Sequence, residues 1–86
     1  MDYKEFLSNE PISGQDYPLN SIEFFNEETV TDKLYVDKTK VSSNAEDQLE
    51  DAVDSYLNDH PEVKKAVAYR EEAPEKRFAF REFGRN

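Results

Sequence analysis

Between residues 43 and 61 the chain has little choice of structure. Ala45, Leu49, Ala52, Val53, Tyr56 and Leu57 recur at i, i+4, i+7, i+8, i+11 and i+12, an apolar stripe at the period of an α-helix. Ser43 stands three residues ahead of Glu46, the pattern in which a hydroxyl accepts from the N–H at Glu46 while that carboxylate reaches back to the capping residue. His60-Pro61 closes the segment, because a residue before proline avoids α geometry and proline has no N–H to donate. A helix over 44–59 is therefore predicted, with one apolar side. The rest of the chain must supply the surface that this side covers.

That surface reads as a sheet. Ile22, Phe24 and Phe25 offer a strand near 21–26, and Leu34-Tyr35-Val36 with Thr39 and Val41 a second near 33–41, both rich in β-branched or aromatic residues. Ala73-Pro74-Glu75-Lys76 suits a type I turn with proline at its second position, joining Val63, Val67 and Tyr69 to Phe78, Phe80 and Phe83 as a hairpin. With Ala73 opposite Lys76, Tyr69 faces Phe80 and Val67 faces Glu82. Val67, Tyr69, Phe78 and Phe80 then pack beneath the helix, and Arg70, Arg77 and Arg81 stay in water on the other face, where no charge loses its hydration. The stretch 62–72 also reads as a second helix, from Ala66, Ala68 and its Glu and Lys content; the strand is favoured.

Upstream, Pro11, Gly14 and Pro18 make 9–21 loop, and Asp2 could cap a short turn that sets Tyr3, Phe6 and Leu7 on one side. Residues 1–20 are thus expected to be loop-rich. The expectation is a single α+β domain over 1–86: a small antiparallel sheet of three or four strands with the helix 44–59 on one face, ferredoxin-like in outline.

Composition narrows the function. The chain has 86 residues, 20 acidic against 11 basic, a net charge of -9 and 36% apolar residues; a domain this size buries roughly 60 to 65% of its unfolded surface, enough for one modest core. No run approaches the ~20 apolar residues of a membrane span, and Met1-Asp2-Tyr3-Lys4-Glu5 lacks the layout of a signal peptide, so a soluble cytoplasmic protein is expected. The absence of cysteine excludes a disulfide framework, a thiolate zinc site and a thiol nucleophile. His60 is the single histidine, and Gly14 and Gly84 are the only glycines, too few for a phosphate-cradling loop. Glu46, Glu50 and Asp54 diverge into water on one helical face rather than converge on a cation. No enzyme activity, metal or cofactor is expected.

Charge is unevenly placed: residues 1–62 hold 16 acids and 4 bases, net -12, and residues 63–86 hold 4 acids and 7 bases, net +3. Glu46, Asp47, Glu50, Asp51, Asp54 and Asp59 fall between Val41 and Pro61 without a lysine or arginine. Glu46 and Asp47 suit the positive end of the helix dipole; Glu50 and Asp54 have no such reason, and each like pair at i, i+4 costs about 0.2 to 0.5 kcal/mol. A solvated face that keeps the protein soluble is the plain explanation. The sharper one is that Glu46, Asp47, Glu50, Asp51 and Asp54 present a row of negative charge to a basic partner surface, with Tyr3 or Phe25 as aromatic anchors. The partner expected is a nucleic-acid-binding protein or complex, in whose groove the row would stand in for phosphates and block the site. A small, cysteine-free, acidic chain of this kind is similar in composition to phage-encoded inhibitors of host enzymes or defence systems.

A second resemblance lies in the hairpin. Lys76-Arg77-Phe78-Ala79-Phe80-Arg81-Glu82-Phe83 resembles, at Lys76, Phe78, Ala79, Phe80 and Phe83, the longer aromatic strand of the RNA-recognition motif, and Leu34-Tyr35-Val36 looks like its shorter one. The order strand, helix, strand, strand over 33–83 is similar to the first half of that family. The resemblance implies a small RNA-binding protein in which Tyr35, Phe78 and Phe80 stack bases, with Lys76 among the RNA-binding residues.

Overall fold

The computed structural model describes residues 3–10, 18–37 and 45–84, the side chains of 45–47 excepted. Strand β1 is Leu7–Ser8, β2 Leu19–Asn26, β3 Thr29–Val36, β4 Lys65–Ala73 and β5 Lys76–Gly84, and the helix α1 is Ala45–Asp59. A short 3₁₀ turn, Tyr3–Glu5, precedes β1. The sheet runs in the order β1-β3-β2-β4-β5, every neighbouring pair antiparallel. Since β3 and β4 both oppose β2, they run parallel to each other, and α1 is the crossover between them.

The helix stripe behaves as its period requires. Ala52, Val53, Tyr56 and Leu57 are buried against Ile22 and Phe24 of β2, Leu34 and Val36 of β3, Ala66 and Ala68 of β4 and Phe83 of β5, with Leu7 and Val63 closing the ends. Phe24 is fully buried and its ring stacks on Tyr56 at 3.7 Å. At the helix end, the His60 Nδ1–H donates to the Tyr56 carbonyl at 2.9 Å and stacks on the Tyr56 ring at 3.9 Å, satisfying one of the carbonyls a helix terminus leaves open. The capping pair at Ser43 lies outside the described residues.

Two corrections concern the architecture. Among the described residues the sheet has five strands, not three or four; the additional one, β1, falls in the stretch read as a short turn carrying Tyr3, Phe6 and Leu7, and forms because Leu7 is buried opposite Val36. Nor is the fold ferredoxin-like. That arrangement needs two strand-helix-strand crossovers, whereas here one helix joins two hairpins and β2 lies between the strands it connects. Strand β2 begins at Leu19, and β3 ends at Val36; residues 38–41 of the expected second strand lie outside the described residues. The stretch 65–73 is strand, not helix.

A third correction concerns the hairpin's two faces. Ala73 does pair with Lys76 and Val67 with Glu82, but Tyr69 lies opposite Ala79, because Glu72 and Phe80 have no residue opposite them. The residues beneath α1 are Ala66, Ala68 and Phe83, not Val67, Tyr69, Phe78 and Phe80. Val67, Tyr69, Glu71 and Arg77 turn to the face opposite α1, and Phe78 and Phe80 remain 50% and 52% exposed on the edge strand.

The turn joining β2 to β3 carries Glu27 at φ 59°, a left-handed conformation that costs a non-glycine residue about 1 to 2 kcal/mol. One strand step further on, Thr31 is an extra residue between the positions opposite Phe24 and Phe25, and its hydroxyl donates to the Phe24 carbonyl at 3.2 Å.

Candidate interaction surfaces

The fold sets two charged surfaces back to back, with the core between them. On the outer side of α1, Asp51, Asp54 and Asp59 are exposed, and none has a cationic partner among the described residues. With Ser55 and Asn58 they line an open concavity of 460 Å³. The helix rise of 1.5 Å per residue spreads the three carboxylates over about 12 Å of the axis. One flank is fixed by the N-terminal turn, where the Tyr3 N–H donates to the Ser55 hydroxyl at 3.2 Å and the Tyr3 ring meets Tyr56 edge-on at 5.0 Å.

Glu50 is a different case. Arg81 donates to its carboxylate at 3.0 Å, so the helix row is interrupted by one of the chain's own arginines. Both side chains are well exposed, and such a pair contributes only about 0 to 1 kcal/mol; its effect is to cancel a charge. Glu46 and Asp47 belong to the first turn of α1, and their side chains lie outside the description. The two aromatic anchors are both engaged: Tyr3 packs on Tyr56 and His60, and Phe25 lies beneath the Lys65 ammonium at 5.2 Å.

The face opposite α1 handles charge in another way. Glu23 and Glu71 are both 8% exposed, deep enough that an unpaired carboxylate would be costly. Across the strands Glu23 stands beside Lys33, and Glu71 beside Arg77. The ion pairs run diagonally instead: Lys33 to Glu71 at 2.9 Å and Arg77 to Glu23 at 2.6 Å. The Ser21 hydroxyl donates to Glu71 at 3.3 Å. The guanidinium of Arg77 lies 4.3 Å above the Tyr69 ring, and the Lys33 ammonium 5.0 Å above Tyr35. Each cation thus has a carboxylate and an aromatic ring.

These contacts fix the protonation states. Burial works against the Lys33 ammonium, but the hydrogen bond and charge of Glu71, with Tyr35 adding to both, outweigh it and raise its pKa above the ordinary value. The hydrogen bond to Glu23 raises Arg77 against a smaller opposing effect of burial. Both stay charged at any physiological pH. Behind them, burial and then the 2.9 Å hydrogen bond that the Tyr56 hydroxyl donates to Asp32 push the Tyr56 phenol well above its ordinary value.

The residues of the RNA-recognition resemblance are not assembled into one platform. Tyr35 lies on β3 under Lys33, whereas Lys76, Phe78 and Phe80 lie on β5, and β2 and β4 separate the two strands. Three strand spacings amount to about 14 Å. Among the described residues, no group of three or more histidine and carboxylate side chains is arranged to hold a metal ion, and no helix is long and apolar enough to cross a membrane.

Sequence reasoning missed the four-residue ion lattice of Glu23, Lys33, Glu71 and Arg77. Its signal was present as alternation: Ser21 and Glu23, Lys33 and Tyr35, and Tyr69 and Glu71 occupy every second position of their strands, but the facing of those positions follows only from the register. Compared with known protein families, curated proteins and solved structures, the chain matches none.

Proposed function

We propose that the protein is a non-enzymatic interaction module whose acidic helix docks on a basic surface of a partner. The observation that carries this reading is the unequal use of cations. Lysine and arginine pair with Glu23, Glu71, Glu72 and Glu50, while Asp51, Asp54 and Asp59 have none among the described residues. The concavity between them has the polarity to seat a lysine or arginine side chain. Carboxylates spaced along a rigid rod also steer a basic partner from a distance, through a field that salt screens over about 8 to 10 Å. A groove built for phosphate meets the same field, so the partner class is a nucleic-acid-binding protein or complex, with the module acting as an inhibitor that occupies its groove.

The test is capture from a lysate of the source cells, elution with rising salt, and repetition with an Asp51→Lys/Asp54→Lys/Asp59→Lys variant. The expected result is a partner that salt releases and that the variant fails to retain at unchanged fold. Equal capture by the variant would overturn the reading. The exposure of Phe78 and Phe80 favours a second reading, direct RNA binding through the aromatic edge, under which the same charge reversal would strengthen binding, since phosphate attraction scales with cationic contacts.

A further inference from the structure

The two edges of the sheet are unequal. One ends in β1, two residues long; the other is the whole of β5, nine residues from Lys76 to Gly84. Among the described residues no strand pairs with the outer side of β5, so a row of backbone donors and acceptors stands ready for another strand. Phe78 and Phe80 are half exposed along it. Glu82, also exposed, has no cationic partner among the described residues.

We propose that β5 pairs with β5 of a second copy, antiparallel and about a two-fold axis between Ala79 and Phe80. The facing of the side chains carries this choice. Phe78, Arg81 and Phe83 lie opposite Arg70, Ala68 and Ala66, on the α1 side of the sheet; Arg77, Ala79 and Glu82 lie opposite Glu71, Tyr69 and Val67, on the far side. The unpaired Phe80 interrupts the alternation. As a result, 81–82 repeats in reverse the facing of 77–78: Phe78 and Arg81 to one side, Arg77 and Glu82 to the other. A two-fold contact places residue i opposite j and j opposite i, and paired residues must face the same way. The register that sets Arg77 against Glu82 and Phe78 against Arg81 of the second copy satisfies this. A shift by one residue sets Arg77 against Arg81, from opposite faces.

The chemistry agrees with the geometry in this register. Glu82 of the other copy, which has no cation among the described residues of its own chain, stands beside the positively charged Arg77, whose guanidinium stays on Glu23. Phe78 meets the Arg81 guanidinium, which in the single chain lies 4.6 Å above Phe83, and Ala79 leaves room for Phe80. Each pair occurs twice. The contact also joins the least acidic parts of two copies, since residues 63–86 carry a net +3 in a chain of net -9. The joint sheet holds both α1 helices on one face.

The test is sedimentation or light scattering of the full chain over a concentration series. The expected mass is twice 10.1 kDa at high concentration. Glu82→Lys and Phe80→Lys, both exposed positions, are expected to weaken association on the order of tenfold or more while circular dichroism stays unchanged. The register is read by mixing an Ala79→Cys chain with a Phe80→Cys chain under mild oxidation; the chain has no cysteine of its own. Opposed positions in an antiparallel pair lie about 4.5 to 5.5 Å apart at Cα, within disulfide reach, so a mixed disulfide is expected, and Asp54→Cys chains are expected to stay unlinked. A monomer at every concentration, or a dimer that both lysine variants leave intact, overturns the proposal. So does a monomer that binds single-stranded RNA and loses it on Phe78→Ala/Phe80→Ala, which would give the aromatic edge to RNA instead.

Discussion

The outer side of α1 and the opposite face of the sheet are both rich in carboxylates, yet they treat them differently. On the sheet, Glu23 and Glu71 are nearly buried and each is held by a cation that also rests on an aromatic ring. On the helix, Asp51, Asp54 and Asp59 are exposed, with no cation among the described residues, and the nearby Glu50 meets an arginine. Burial explains the contrast. A carboxylate that loses water must be paired, so the sheet's charges are fixed by the fold. One that keeps its water need not be paired, and its arrangement is open to other uses. The number of acids in a region therefore says less than where the fold places the bases.

The largest expected effect comes from removing the layer that separates the two surfaces. Phe24→Ala should cost about 3 to 5 kcal/mol, most of the stability of a domain this small, and denaturant unfolding should show both surfaces lost together. Next is the sheet lattice. Arg77→Ala leaves Glu23 buried without its cation, and since the Arg77 side chain is 43% exposed the cost should fall to about 2 kcal/mol, below the 3 to 5 kcal/mol of a fully buried pair. A double-mutant cycle with Glu23→Gln should return a coupling near 1 kcal/mol; no coupling would mean that the lattice is ornamental to stability.

Tyr56→Phe should cost about 1 to 2 kcal/mol through the lost hydrogen bond to Asp32. It also carries a pH signature. The phenol of Tyr56 and the ammonium of Lys33 both have raised folded-state pKa values. Their stabilisation is complete below the unfolded values, near pH 10, and is lost as pH rises from there towards the folded values. Unfolding monitored between pH 9 and 11 (~1 unit either side of the ordinary tyrosine value) should show stability falling in the native chain, and Tyr56→Phe should flatten that fall. The smallest effect belongs to the helix face: Asp51→Asn and Asp54→Asn should change stability by no more than about 0.5 kcal/mol each, in the stabilising direction. A loss above 1 kcal/mol (~1, twice the surface norm) would show that these aspartates have a structural role.

The helix was legible because its stripe and its His60-Pro61 stop are local in the chain, and α1 ends at Asp59 as that stop requires. The turn at Ala73–Lys76 was legible for the same reason. The hairpin's facing was not. It depends on Glu72 and Phe80 dropping out of register, and nothing in a type I turn motif announces a missing opposite. The strand β1 was hidden because two residues carry no periodicity; only Val36 reveals what Leu7 is for. For the candidate surfaces, the exposure of Asp51 and Asp54 could be read from the helix period, but the loss of Glu50 to Arg81 is a contact across 31 residues of chain that no spacing rule reaches.

The strand order has a kinetic corollary. Within each hairpin, β2 with β3 and β4 with β5, partners are near neighbours along the chain, whereas β2 and β4 join residues as far apart as Leu19 and Glu71. Two locally assembled ribbons must therefore be annealed along a single distant seam, and closing the intervening loop is the entropic bottleneck. Ile22→Val, on that seam, should slow refolding, while Val30→Ala, near a ribbon's tip, should chiefly hasten its opening.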